Sequence, residues 1–371
     1  MAGRLTLTNG RGSTRPRTTL LRASLVATAL ALASCGGQTG TIATPERIAL
    51  TYLGTAGRLM LVAPDGRGAR SLGAASQALI APDGARVLAT AASTQATTLK
   101  LFTGTRHQVA RSLARLAAPR WAPNTVRLLG WSADSRYVVL SADEVTGGGE
   151  QTALLVANCS SGRIVTVATG NFLGASFSPS LADKLVYSRA TVEQLDRGQS
   201  LLYETDPGGR ATRALTHSGL AYGPAWGPRG IVYAKLLTLG SETRSPLYAL
   251  WVREPGSAGH RVGDFAAGPP SAIGTAMAIS ISESGTRIVA NLRTPSGKRT
   301  SLAIDLTHRR AAARQVTLVG AKVLSATIAR SGRALLIRAR AANGTSEIVT
   351  TTWAGARAHV IAAGSDPSWN G

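Results

Sequence analysis

The sequence predicts an all-β protein, built as a single β-propeller of four-stranded blades. Three observations predict it: a short pattern that recurs about every 50 residues, strand-like segments throughout each repeat, and chain ends that complete each other. Glycine accounts for 41 of 371 residues and aromatic side chains for 5%. This composition favours many short strands joined by tight turns. Apolar residues make up 44% of the chain, which is enough for a large core.

The recurring pattern begins with an aromatic residue or Ile, continues through small residues with a turn, and ends in a β-rich run. It reads IAPDGARVL at residues 80–88 and WSADSRYVV at residues 131–139. We call the first residue of each copy its anchor. The anchors lie 46 to 55 residues apart and are Ile80, Trp131, Phe177, Trp226, Ile281 and Ile328. A period near 50 with only strand-like segments is typical of a propeller blade.

The turns in this pattern have a physical reason. Proline fixes φ at the first turn position, and glycine supplies the positive φ that closes a tight hairpin. We therefore expect Asp83 and Asp134 to serve turn geometry, not catalysis.

The two ends of the repeat region complete each other. Residues 48–75 are predicted to form three strands of a blade and lack an anchor, whereas Trp369 supplies an anchor with no strand after it. The last strand would then complete the first blade and pair open sheet edges. Seven anchors predict seven blades. Six is the alternative, if one weak unit is not a true blade.

The N-terminus has the pattern of an export signal. Residues 1–22 are basic and residues 23–33 form an apolar stretch too short to span a bilayer. The segment LASC at residues 32–35 resembles a bacterial lipobox, in which the cysteine takes up lipid. We predict a signal peptide over residues 1–34, a lipidated Cys35 with a flexible tether over residues 35–46, and a propeller over residues 47–371. The alternative is ordinary signal cleavage near Ala33 with an incidental cysteine.

The aromatic-Ser-Pro-Asp-Gly repeat resembles the TolB-type, WD-like propeller repeat over about residues 47–371. Residues 35–46 leave no room for the N-terminal α/β domain of that family. The combination of lipobox and propeller is similar to envelope lipoproteins of actinobacteria. The resemblance implies an interaction module for proteins or envelope polymers, held by lipid on the extracytoplasmic face of the cell membrane. Similar repeats precede the hydrolase domain of prolyl-oligopeptidase-type peptidases, but the sequence contains no Gly-x-Ser-x-Gly elbow.

Catalytic chemistry has little support in the sequence. The histidines, none of which shows metal-ligand spacing, are His107, His217, His260, His308 and His359. Cys159 lies in an apolar run, which indicates a small buried side chain; a lone nucleophile is the alternative.

We predict no catalytic, cofactor or metal site. A small-ligand sensor or an enzyme in the central funnel remains the alternative function, with Asp134, Asp143 and Glu144 as candidate carboxylates. The residues that line the funnel would distinguish an interaction module from a sensor or an enzyme.

The formal charge of +22 would favour anionic partners such as lipid headgroups or wall polymers. An Arg- and Ala-rich composition, of the kind that high-GC genomes produce, is the preferred explanation, and a functional basic patch is the alternative. No nucleic-acid motif accompanies the charge, so we expect no nucleic acid. The expected partners are the membrane, through the lipid, and an envelope protein or an anionic wall polymer. We expect a monomer.

Overall fold

The computed structural model describes most of the predicted propeller. The described residues are 50–63, 66–103, 109–147, 149–181, 183–191, 199–238, 246–266, 276–293, 299–307 and 312–369. The predicted signal peptide, Cys35 and the tether lie outside these ranges, as do His107 and His308.

The described residues form 28 strands and one short 3-10 turn, Thr55–Gly57. The first fourteen strands are β1 Leu50–Leu53, β2 Arg58–Val62, β3 Arg70–Ala74, β4 Gln77–Ile80, β5 Arg86–Ala92, β6 Ala96–Thr103, β7 Val109–Ala117, β8 Arg127–Trp131, β9 Tyr137–Thr146, β10 Gly149–Asn158, β11 Ile164–Thr169, β12 Asn171–Phe177, β13 Leu185–Ala190 and β14 Leu201–Thr205. The remaining strands are β15 Arg213–Ala214, β16 Ala221–Gly227, β17 Gly230–Thr238, β18 Leu247–Arg253, β19 His260–Ala266, β20 Ala276–Ile281, β21 Arg287–Arg293, β22 Arg299–Asp305, β23 Ala312–Gln315, β24 Ala321–Ile328, β25 Ala334–Ala341, β26 Ser346–Thr352, β27 His359–Ala363 and β28 Ser365–Trp369.

These strands form seven antiparallel four-stranded sheets, which are the blades of a propeller. Blade 1 has the order β28-β1-β2-β3, so its first strand comes from the far end of the chain. Blades 2 to 7 each use four consecutive strands, beginning with β4, β8, β12, β16, β20 and β24. The prediction of seven blades closed by the C-terminal strand is confirmed, and the six-blade alternative is wrong.

Closure of the ring rests on pairing between β28 and β1. Leu50 pairs with Trp369 and Thr51 pairs with Ser368 in an antiparallel register. The pairing covers the backbone edge that both strands would otherwise expose.

Side chains on both faces of each blade pack against the neighbouring blades. Between blades 7 and 1, for example, Leu336 and Ile348 pack with Leu50, Tyr52 and Val62, all of them buried. Because side chains alternate along a strand, each blade contributes to two such interfaces. The core is therefore a ring of inter-blade layers.

The first strands of the blades lie nearest the axis. They contact one another directly around the ring, as β12 does with β16, β16 with β20, and β28 with β4. Each of these strands ends at or next to an anchor residue. The residues that follow the anchors form turns at one end of the ring, and these turns cover residues 81–85, 132–136, 282–286 and 329–333. We call this end the turn end, and the end with the connections 93–95, 118–126 and 316–320 the loop end.

Candidate functional site

The anchors converge on a cavity at the turn end of the axis. Its volume is about 330 Å³, and six of the seven anchors line it: Ile80, Trp131, Phe177, Ile281, Ile328 and Trp369. Since these residues end the inner strands of six different blades, the cavity lies on the axis. The seventh anchor, Trp226, packs instead against the apolar layer between blades 4 and 5. The pattern that identified the repeat in the sequence therefore also builds the mouth of the central funnel.

A serine placed directly before the anchor fixes the spacing of neighbouring inner strands. The Ser368 hydroxyl accepts a hydrogen bond from the backbone N–H of Ile80 at 3.2 Å. Ser176 accepts one from Trp226 at 3.0 Å, and Ser280 accepts one from Ile328 at 3.3 Å. In each case the serine belongs to one blade and the amide to the next. This bond was not predicted from the sequence, although a serine one residue before the anchor in three repeats was a visible signal.

The two tryptophans of the cavity differ in their polar contacts. The indole N–H of Trp131 donates to the carbonyl oxygen of Leu79 in the preceding blade at 3.2 Å. The indole N–H of Trp369 is buried and has no hydrogen-bond partner within the described part of the chain. The same holds for the hydroxyl of Thr327, which precedes the anchor of blade 7. A buried polar group without a partner costs about 1 to 3 kcal/mol.

Hydrogen bonds also join one turn to the next around the turn end. The backbone N–H of Asp83 donates to the Ser135 hydroxyl at 3.1 Å, which joins blades 2 and 3. The N–H of Glu283 donates to the carbonyl of Arg330 at 2.8 Å, which joins blades 6 and 7. These contacts hold the rim of the cavity in a fixed shape.

Arg330 is the one charged residue among the described residues that line the cavity. Its guanidinium donates to the carbonyl oxygen of Pro82 at 3.2 Å, reaching from blade 7 to blade 2. Blade 1 lies between them, and its first two strands come from opposite ends of the chain, so no turn joins them. Arg330 thus spans the place where the series of turns is interrupted and puts a positive charge at the rim.

The aspartates of the turns have the structural role that the sequence predicted. Asp83 accepts hydrogen bonds from the backbone of Ala85 and the side chain of Arg86, each at 2.9 Å. Asp134 accepts one from the Ser132 hydroxyl at 2.6 Å. Both carboxylates therefore brace their own turns.

The structure does not bring the three candidate carboxylates together. Asp134 follows β8 at the turn end, whereas Asp143 and Glu144 lie near the other end of β9. Val138 lies beside Trp131 at the turn end, and five residues separate it from Asp143, a distance of about 17 Å along a strand. Asp143 accepts a hydrogen bond from Thr152 at 2.8 Å, and Glu144 pairs with Arg120 at 2.9 Å.

The remaining candidates for chemistry also lie apart. His217 lies in the connection between β15 and β16, and His260 and His359 begin strands of blades 5 and 7. In the described residues no group of three or more His, Cys, Asp or Glu side chains could hold a metal ion. Cys159 is buried, and burial raises the pKa of its thiol to about 12. The thiol is therefore protonated at neutral pH, as expected of a packing residue.

No helix among the described residues has the length and apolar character needed to cross a membrane.

Comparison with known proteins finds likeness in structure. No family model and no curated protein matches this chain. TolB from Acinetobacter baumannii is similar at 15% identity, over 77% of this chain and 67% of that chain, with a TM-score of 0.50. A putative 6-phosphogluconolactonase from Bacteroides fragilis is similar at 12% identity, over 90% and 98% of the two chains, with a TM-score of 0.54.

The β-propeller domain of the Trilobed protease from Pyrococcus furiosus is similar at 11% identity, over 83% of this chain and 90% of that one, with a TM-score of 0.53. That domain is described as having an open velcro topology, whereas here β28 pairs with β1. At these identities the likeness concerns the fold alone. In its fold, the chain is a seven-bladed β-propeller similar to propellers that include TolB, as the repeat predicted.

Proposed function

We propose that the protein is a lipid-anchored, extracytoplasmic interaction module whose axial cavity binds a segment of a partner protein. The observation that carries the proposal is the lining of the cavity. Its walls are the anchor side chains, which include Trp131, Phe177 and Ile281, and its rim carries the guanidinium of Arg330. Aromatic residues and arginine are the types that dominate binding energy at protein interfaces.

The size and charge of the cavity suggest what it would bind. A volume of about 330 Å³ is at the lower end of the range for ligand sites, which suits one or two large side chains. Arg330 would pair with a carboxylate of the same segment. We therefore expect a partner segment that carries an apolar side chain next to an acidic group. The fold similarity to TolB supports an interaction role.

The alternative is a small-ligand sensor or an enzyme that uses the same funnel. Likeness to a putative 6-phosphogluconolactonase and to a protease propeller keeps this alternative open. General acid-base chemistry needs a carboxylate, histidine or similar group within reach of a substrate. The described lining offers apolar side chains, small residues and one guanidinium, which favours the interaction role.

Membrane anchoring rests on the sequence motif at residues 32–35. We expect the full chain to fractionate with membranes and Cys35→Ala to appear in the soluble extracytoplasmic fraction. A Cys35→Ala protein that stayed membrane-bound with unchanged mass would overturn the anchoring proposal and leave the cavity proposal intact.

Site-specific crosslinking in membranes tests the cavity. A photoreactive phenylalanine replaces Ala133, which lines the cavity, or, as a control, Ala356, which is exposed in an outer turn of blade 7. We expect position 133 to give an adduct with one defined protein and position 356 to give none of it. In the background Trp131→Ala or Arg330→Glu, the adduct from position 133 should fall at least tenfold. Equal adducts from both positions, or none from position 133, would contradict a binding role for the cavity.

A further inference from the structure

Two neighbouring blades place like charges opposite each other at the loop end. In blade 6, Arg293 ends β21 and Arg299 begins β22, and the two are direct cross-strand partners. In blade 7, Lys322 of β24 is the direct partner of Arg340 of β25. Like charges in directly opposed positions destabilise a sheet. Two such pairs lie at the same end of adjacent blades, so positive charge accumulates there without a paired carboxylate within either pair.

A third basic residue of blade 7 faces the same way as Arg340. Arg338 lies two residues earlier on β25, and residues two apart in a strand share a face. The Arg338 guanidinium pairs with the Asp366 carboxylate at 3.2 Å, which links blade 7 to blade 1. We call Arg293, Arg299, Lys322, Arg338 and Arg340 the basic cluster. Asp366 is the one carboxylate with an ion pair to this cluster among the described residues.

Arg299 shows that the two blades share one electrostatic neighbourhood. It is half-buried at the start of β22. Burial lowers the pKa of its guanidinium, and the nearby charges of Arg293, Arg338 and Arg340 lower it further, while Asp366 acts in the opposite direction. An arginine side chain does not lose its proton in proteins, so the repulsion cannot be relieved by deprotonation. A bound anion would relieve it.

We propose that the basic cluster is a binding site for a phosphate group. The planar fork of a guanidinium matches two phosphate oxygens, and several arginines together suit a group that carries more than one negative charge. The cluster lies at the opposite end of the ring from the axial cavity, so the inference is independent of the proposed function. The phosphate could belong to a lipid headgroup or to a soluble phosphate compound, which share this chemistry.

Thermal unfolding of the full chain tests the site, with inorganic phosphate compared with chloride at equal ionic strength. We expect phosphate to raise the Tm of the wild type. Arg293→Gln and Arg340→Gln each remove one member of a repulsive pair at an exposed position. Each should weaken phosphate binding at least tenfold while unfolding in chloride at the wild-type Tm or above. Arg163→Gln, an exposed position at the turn end, should behave as the wild type.

Vesicles distinguish the two sources of phosphate. The full chain with Cys35→Ser is mixed with vesicles of phosphatidylcholine alone or of phosphatidylcholine with phosphatidylglycerol. Retention that requires phosphatidylglycerol and is lost in Arg293→Gln assigns the site to a lipid headgroup, whereas phosphate binding without such retention assigns it to a soluble compound. The proposal fails if phosphate shifts the Tm of the wild type, Arg293→Gln and Arg340→Gln equally, or shifts none of them.

Discussion

The two ends of the propeller differ in the interactions between their blades and in the surface that they present. At the turn end, hydrogen bonds join neighbouring turns, and anchors from six blades line one apolar cavity. At the loop end, an arginine pairs across the strands with an arginine in blade 6 and with a lysine in blade 7. The turn end repeats because six of the seven blades pack an anchor side chain against the same axial cavity. The charges of the loop end follow no repeat and cost stability, so we infer that they serve binding.

The largest expected effect comes from the core of the turn end. Ile328 is 6% exposed, and Ile328→Ala should destabilise the protein by about 2 to 5 kcal/mol, because it leaves a cavity among packed side chains. Val319 is fully exposed at the loop end, and Val319→Ala should leave stability within about 0.5 kcal/mol of the wild type. Chemical denaturation of both variants measures the contrast. Equal losses would show that the two ends do not differ in packing.

The inter-blade serine bond should contribute less. Ser280→Ala leaves the Ile328 amide without its partner and should cost about 1 kcal/mol. Thr327→Val removes a buried hydroxyl of blade 7 that has no hydrogen-bond partner in the described structure. The substitution should therefore leave the stability unchanged or raise it. The midpoint of urea unfolding should therefore fall for Ser280→Ala and stay unchanged or rise for Thr327→Val. If Thr327→Val lost as much stability as Ser280→Ala, the Thr327 hydroxyl would have a partner, contrary to the described structure.

Asp366→Asn tests the charge balance of the loop end. Asp366 has a φ of 46°, a conformation that Asn tolerates as well as Asp, so the backbone should be preserved. The carboxylate is 43% exposed, and solvent screening limits the loss to about 1 kcal/mol or less. Because the variant increases the excess of positive charge, phosphate should raise its Tm by more than it raises that of the wild type. Scanning calorimetry in phosphate and in chloride measures both shifts, and a smaller phosphate shift in the variant would count against the cluster.

A difference of similar size should separate the two tryptophans of the cavity. Trp131→Phe loses the hydrogen bond to Leu79, whereas Trp369→Phe loses none and removes an unpartnered buried N–H. Because the change in volume is the same, Trp131→Phe should be less stable than Trp369→Phe by about 1 kcal/mol. Unfolding free energies of the two variants give this difference directly. A less stable Trp369→Phe would indicate that the Trp369 indole N–H has a hydrogen-bond partner, which would contradict the described contacts.

The repeat made much of the fold predictable from the sequence. Turn residues such as Asp83 recur at a fixed distance from the anchors, so the number of blades could be counted from the sequence. Trp369 marked the missing strand of the first blade, so the closure of the ring could be predicted as well. Which anchors reach the axis did not follow, because Trp226 fits the pattern and yet packs between blades 4 and 5.

The basic cluster could not be predicted, because it depends on strand register. Arg293 and Arg299 oppose each other only because β21 and β22 pair out to their last residues. Lys322 meets Arg340 in a ladder whose register shifts between Val323 and Ser325. A one-residue change in register would turn these side chains to opposite faces, and no local sequence signal specifies it.

The proposal that the turn end binds a partner protein can be tested by crosslinking from both ends of the same molecule. A photoreactive phenylalanine is placed at position 133 in the axial cavity or at position 319 on the loop end, in the full chain in membranes. We expect a defined protein adduct from position 133 that disappears with Trp131→Ala, and none of that adduct from position 319. The same adduct from position 319, or an adduct from position 133 that survives Trp131→Ala, would contradict binding of a partner in the axial cavity.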